Sequence, residues 1–291
     1  MDEKCISTKR VFIINTVLIL FSAIFTVIVH ALLPASVDAA RFNSIFVKWF
    51  GFPAVAIFYF ILLFTQSAMA VRYIGVRADA PKLQIGIRFG IAFAMIYLLG
   101  MQEVIVESSS FSTWGLGFVK YQLIMGIGDG IPAILLCLAI AFFTLSDGER
   151  VKPIHKLQMV KCIKIISIIA IAIFMERTIG YESGLIFSDS ATYPVPCYMW
   201  TVCFGILMGY IYVILYSLLA FEKKQSGIPL RFIATIGVNW MIFNCFIGLI
   251  IKGAMPQILL RSGLDIAVLF IASTIIEKSI IGNNFHNVKM F

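Results

Sequence analysis

Asp129, Asp265 and Glu103 are the side chains best placed to do chemistry, because each is a carboxylate inside a long apolar stretch. A charged group deep in a membrane helix costs about 2.5–3.5 kcal/mol on insertion scales and normally faces a cavity or a partner. Asp129 is the deepest. It stands eleven residues into its stretch, roughly 16 Å at 1.5 Å per residue. Asp265 lies about six residues into its own stretch, roughly 9 Å, and Glu103 lies near the end of another. Glu176 and Arg177 close a fourth stretch. Gln257, Arg261 and Asp265 are spaced by four and stack on one side of a helix. Two arrangements follow. Arg261 and Asp265 pair as an i,i+4 bridge, or the three residues form a polar stripe facing Asp129.

The frame around Asp129 is distinctive. Gly126, Gly128, Gly130 and Pro132 fall within about two turns. Glycine permits close approach and irregular backbone, and proline removes one helical hydrogen bond. One reading is a hinge or broken helix beside a cavity. The other is a close helix-packing face. Carboxylates in such a place suit protons, metal cations or amines. Asp129, Asp265, Glu103, Arg261 and Gln257 are therefore the candidate substrate- or ion-binding residues.

Gly126-Ile127-Gly128-Asp129 resembles the four-residue GxGD signature of intramembrane aspartyl proteases. That chemistry needs two carboxylates sharing a proton and a water. In presenilin-like members of that group the partner aspartate lies in an earlier helix and a Pro-Ala-Leu motif follows. Here no earlier apolar stretch holds an aspartate, and Pro-Ala-Leu is absent. Asp265 would be the only other deep aspartate. Gly-x-Ser-x-Gly, HExxH and Walker A motifs are also absent.

These residues need elements to position them, and the elements are membrane helices. Apolar stretches run at about 11–33, 49–71, 86–106, 118–145, 158–176, 195–221, 232–251 and 259–276. A hydrocarbon core of about 30 Å takes about 20 helical residues. The chain is 60% hydrophobic and 13% charged, half the charge of an average soluble domain at about 25%. The expectation is an all-α polytopic transmembrane bundle of eight helices, one integral membrane domain over residues 1–291. The first stretch is too long for a signal-peptide core of about 7–15 residues and reads as a retained anchor.

Charge sets the expected orientation. With the N-terminus inside, all of the 23 Lys and Arg fall on the cytoplasmic side except Arg41, Lys48, Lys120, Arg177, Lys252 and Arg261. The positive-inside rule then places both termini in the cytoplasm. The same distribution assigns the net charge of +8 to topology and anionic lipid, not to nucleic acid. The expected location is a cell membrane, taken as a bacterial plasma membrane.

The two halves resemble one another. Pro53 and Pro196 each open a helix, and each is followed thirty-five residues later by Arg88 and Arg231. An offset of 143 residues relates them. It shrinks to 136 where Asp129 meets Asp265. Four helices per half is an even number, so residues 1–145 and 146–291 would form a parallel repeat about the membrane normal.

The remaining polar residues are quieter. No CxxC and no Cys–His cluster is present, so no metal, cofactor or disulfide framework is expected. Gln66, Asn239 and Asn244 read as interhelical hydrogen-bond partners. His30 reads as snorkelling to water, and Trp49, Trp114 and Tyr198 as interface anchors. Three function classes fit: a permease with an outward-facing acidic site for a cation, a proton-coupled solute or an amine; a membrane hydrolase using Asp129 and Asp265; and a non-catalytic membrane subunit or sensor bound to other proteins. The first is carried forward.

Overall fold

A computed structural model describes residues 8–33, 41–106, 115–146, 157–221 and 227–281, without side chains for 104–106 and 281. Trp114 and the basic residues Lys4, Arg150, Lys152, Lys156, Lys223, Lys224 and Lys289, on which the orientation partly depends, lie outside the described residues.

Every regular element among the described residues is helical. The order is α1 (Thr8–Leu32), a short α2 (Ile45–Phe50), α3 (Phe52–Gly75), α4 (Lys82–Val106), α5 (Leu116–Thr144), α6 (Met159–Glu182), α7 (Pro194–Leu219), α8 (Ile228–Phe232), α9 (Val238–Ile250) and α10 (Met255–Ile276). A π-helical turn, Ile233–Gly237, joins α8 to α9 as one rod, and a second, Glu277–Ile281, extends α10. Prolines open α3, α7, α8 and α10, where a missing N–H leaves no broken bond. Gly51 and Gly253, at φ +80° and +82°, turn the chain between α2 and α3 and after α9, a backbone region that suits glycine.

Seven helices are long and apolar enough to cross a membrane: α1, α3, α4, α5, α7, the α8–α9 rod and α10. The chain is thus a multi-pass, membrane-type helical bundle. α6 is as long. It carries Lys161, Lys164, Glu176, Arg177 and Glu182, too much charge to be read as a span from composition. The outside of the bundle presents Phe12, Phe21, Phe58, Phe142 and Ile171, all more than half exposed, a surface suited to lipid.

Lipid is as apolar as a leucine core, so close van der Waals packing has to hold the helices together. Glycine supplies it. A Cβ on Gly126 would sit 2.7 Å from Leu98 Cα, and one on Gly130 3.2 Å from Ala94 Cβ, both on α4. Gly86 and Gly90 return the contact from α4 to α5. Gly205 and Gly209 of α7 meet the backbone of α6 at Ala170 and Ile166 in the same way.

These contacts correct one expectation. α5 is continuous from Leu116 to Thr144 with Pro132 inside it. Gly126, Gly128, Gly130 and Pro132 do not break the helix. Gly126 and Gly130 seat it on α4, and Gly128 packs on Val29 and His30 of α1.

At one end of the bundle three arginines bind backbone carbonyls in the C-terminal parts of neighbouring helices. Arg72 Nη1 donates to Thr144 O at 3.0 Å, Arg88 Nη1 to Ile214 O at 3.1 Å and Ser217 Oγ at 2.5 Å, and Arg231 Nη1 to Leu219 O at 2.8 Å. Helix C-termini leave four carbonyls unbonded and carry partial negative charge. Arg72 on Thr144 and Arg231 on Leu219 answer both.

Candidate functional site

The opposite end is chemically different. There α1, α4, α6 and α9 finish while α3, α5, α7 and α10 begin, and the helices bring carboxylates inward. Arg177 of α6 is the hub and is only 1% exposed. Its Nε and Nη2 donate to Asp265 Oδ1 at 2.8 Å and Oδ2 at 2.7 Å. Its Nη1 lies 2.8 Å from Glu103 Oε1 on α4. Glu176 Oε2 is 3.6 Å from Arg177 Nε. Trp240 Nε1 of α9 also donates to Asp265 Oδ2, at 2.8 Å. The guanidinium stands over the rings of Trp200 and Phe204 at 5.3 and 5.9 Å, a cation–π arrangement.

Arg261 is the second buried guanidinium. Its Nε is 3.2 Å from Glu103 Oε1, and its Nη2 donates to Asn244 Oδ1 at 3.3 Å. The expected bridge between Arg261 and Asp265 is not formed. Arg177 takes both carboxylate oxygens in a planar fork, and an i,i+4 neighbour on the same helix does not displace it. Gln257, one turn before Arg261, leaves the cluster. Its Nε2 donates to Leu185 O in the segment after α6, at 2.9 Å.

Asp129 pairs elsewhere. Its Oδ1 is 2.7 Å from His30 Nε2 on α1. His30 is therefore not a snorkelling residue, and its ring packs edge-on to Phe60 at 5.6 Å. Asp129, His30, Glu103 and Arg261 border one small cleft with Tyr59 and Asn244. It holds about 30 Å³ of water-sized space, and one water needs about 10–15 Å³ by that measure. The cleft has room for about two waters or a small ion, and none for a bulky solute as it stands. Asp265 lies behind it, joined through Arg177 and Glu103. Among the described residues no group of three or more His, Cys, Asp or Glu is placed to hold a metal ion.

Among the described residues of this cluster the charges do not cancel. Asp129, Glu103, Glu176 and Asp265 are four carboxylates, against Arg177, Arg261 and a histidine that is cationic only when protonated. In a low-dielectric interior an uncompensated carboxylate takes up a proton or draws a cation.

Arg177 and His30 are site residues that stood outside the candidates read from the sequence. Arg177 had a signal, an arginine beside a glutamate at the end of an otherwise apolar run. His30 had none, because its partner is ninety-nine residues away. Searches with the sequence and the fold find no matching family, no curated relative and no solved structure of similar fold.

Proposed function

We propose that this protein is a cation or proton-coupled permease whose outward-facing acidic site is the cleft bordered by Asp129, Glu103, Arg261 and His30. Asp265 holds the cleft's wall through Arg177. The carrying observation is the partner of Asp129. It is bonded to a histidine that can lose its charge, in a cleft of water size, while Asp265 is held by an arginine that cannot. An ion pair whose cation can give up its proton suits uptake and release. Asp265 has both oxygens occupied by Arg177 and Trp240, which speaks against the shared-proton dyad of a hydrolase.

The reading includes α6 as an eighth span, with both termini cytoplasmic. Pairing its charged end supports this, since Arg177 and Glu176 are turned inward among partners. It also includes a four-plus-four parallel duplication that matches α1 with α6, α3 with α7, α4 with the α8–α9 rod and α5 with α10. Packing neighbours support it: α1 meets α3 and α5 as α6 meets α7 and α10, and α4 meets α7 as α3 meets α9. In each half, moreover, the last helix carries an aspartate bonded to a cation on the first helix, Asp129 to His30 and Asp265 to Arg177.

Flux in proteoliposomes tests the function. A pH-sensitive dye inside the vesicles should report proton or cation-coupled movement with the wild-type protein and none with Asp129→Asn, whose shape and hydrogen-bonding capacity are conserved. Wild-type flux that survives in Asp129→Asn, or vesicles silent to Na⁺, K⁺ and proton gradients alike, would overturn the reading. Single-cysteine labelling tests orientation. Ser183→Cys should react from outside, and a reagent that reaches it only from the cytoplasm would reverse the topology.

A further inference from the structure

A second polar group lies one helical turn inward from the cleft, where every hydrogen-bond direction is forced. Gln66 of α3 donates through Nε2 to the carbonyl oxygens of Thr235 at 2.9 Å and Ala234 at 3.2 Å. Both carbonyls belong to the π-helical turn Ile233–Gly237, and such turns recur at functional sites. Carbonyls only accept, so Gln66 must turn its Oε1 the other way. Asn239 Nδ2 donates to that oxygen at 2.7 Å and to Ser67 Oγ at 3.1 Å. From the far end, Ser67 Oγ donates its one proton to Leu63 O at 3.0 Å. The Tyr97 hydroxyl, 3.2 Å from Ser67 Oγ, is then the donor of that pair. All the side-chain hydrogens of the group are used.

What remains is an acceptor. Asn239 is 0% exposed, and its Oδ1 has no hydrogen-bond donor among the described residues. A lone water is a poor answer. It would donate to Asn239 Oδ1 but bring an oxygen that needs donors of its own, and a buried water typically makes about three bonds. A cation needs acceptors alone, and water carried on a cation has its oxygen already engaged.

We infer that Asn239 Oδ1 marks a second and uncharged station for a monovalent cation, inward of the acidic cleft. The station rests on the cation reading of that cleft and deepens it. The two sites are neighbours: Gly100 and Phe243 border the cleft, Tyr97 is one turn from Gly100, and Asn239 is one turn from Phe243. The rings of Tyr97 and Phe243 stack at 5.1 Å between centroids and form the partition. A station of neutral oxygens binds less tightly than a carboxylate, which suits a site that passes its ion on.

Thermal unfolding of the full-length protein in detergent tests this, with LiCl, NaCl, KCl or NH₄Cl set against N-methyl-D-glucamine chloride at equal ionic strength. At least one of the four cations should raise the melting temperature with dose. Its apparent affinity should weaken by about tenfold or more in Asn239→Leu and rise in Asn239→Asp, which keeps the shape and adds charge. Gln257→Ala should leave it unchanged. A cation effect that is lost in Asp129→Asn but intact in both Asn239 variants would leave the cleft reading standing and remove the second station. An effect lost in Asn239→Leu, strengthened in Asn239→Asp and intact in Asp129→Asn would keep the station and remove the cleft as a cation site. No shift with any of the four cations would overturn the station, whatever the proton flux shows. If Asn239→Leu proves poorly folded by gel filtration, Asn239→Asp alone decides: unchanged or weaker affinity overturns the station.

Discussion

His30–Asp129 and Arg177–Asp265 are built alike and differ in one chemical respect. Each joins an aspartate on a central helix to a cation from a helix packed beside it. One cation is an imidazole, makes a single contact and borders open space. The other is a guanidinium that makes a fork, is shared with a second carboxylate and is fully enclosed. A buried arginine stays charged, and breaking its pairs is strongly unfavourable. A histidine changes charge near neutrality at modest cost. The difference separates a fixed strut from a responsive contact within one polar cluster.

Breaking the strut should have the largest effect. Arg177→Met leaves Asp265 and Glu103 without their main counter-charge, and loss of one partner of a buried pair costs about 3–5 kcal/mol. The expected result is a collapsed melting temperature or aggregation on gel filtration. A variant as stable as wild type would show that Arg177 is not the hub. Gly126→Ala should come next. Its Cβ meets the α4 backbone at 2.7 Å, and overpacking of this kind costs about 1–3 kcal/mol. An unchanged melt would mean that α4 and α5 part easily.

The responsive contact should show itself in function more than in stability. His30→Arg replaces the labile cation with a permanent one. It should keep or raise the melting temperature and abolish flux, whereas His30→Gln should lower stability by only about 1 kcal/mol. Full flux in His30→Arg would make the two pairs equivalent and dissolve the distinction. Gln257→Ala marks the lower limit. Its one bond is exposed, to Leu185 O, and a surface change of this sort stays within about 0.5 kcal/mol.

The sequence alone determined the class of fold. Hydropathy and length are local properties, and they placed the long helices close to where the structure has them, because a membrane helix forms its backbone bonds within itself. It also marked Asp129, Glu103, Arg261 and Asp265 as costly residues, since a charge in an apolar run is visible without any fold. Only the tertiary structure decided their partners. His30 meets Asp129 across ninety-nine positions and Arg177 meets Asp265 across eighty-eight, and spacing within one helix carries no trace of either. The i,i+4 spacing of Arg261 and Asp265 pointed to the wrong pair, because a helix from elsewhere offered better geometry. The glycines around Asp129 were legible as unusual but not as a packing face. That depended on α4 lying against α5 closely enough to leave no room for a side chain.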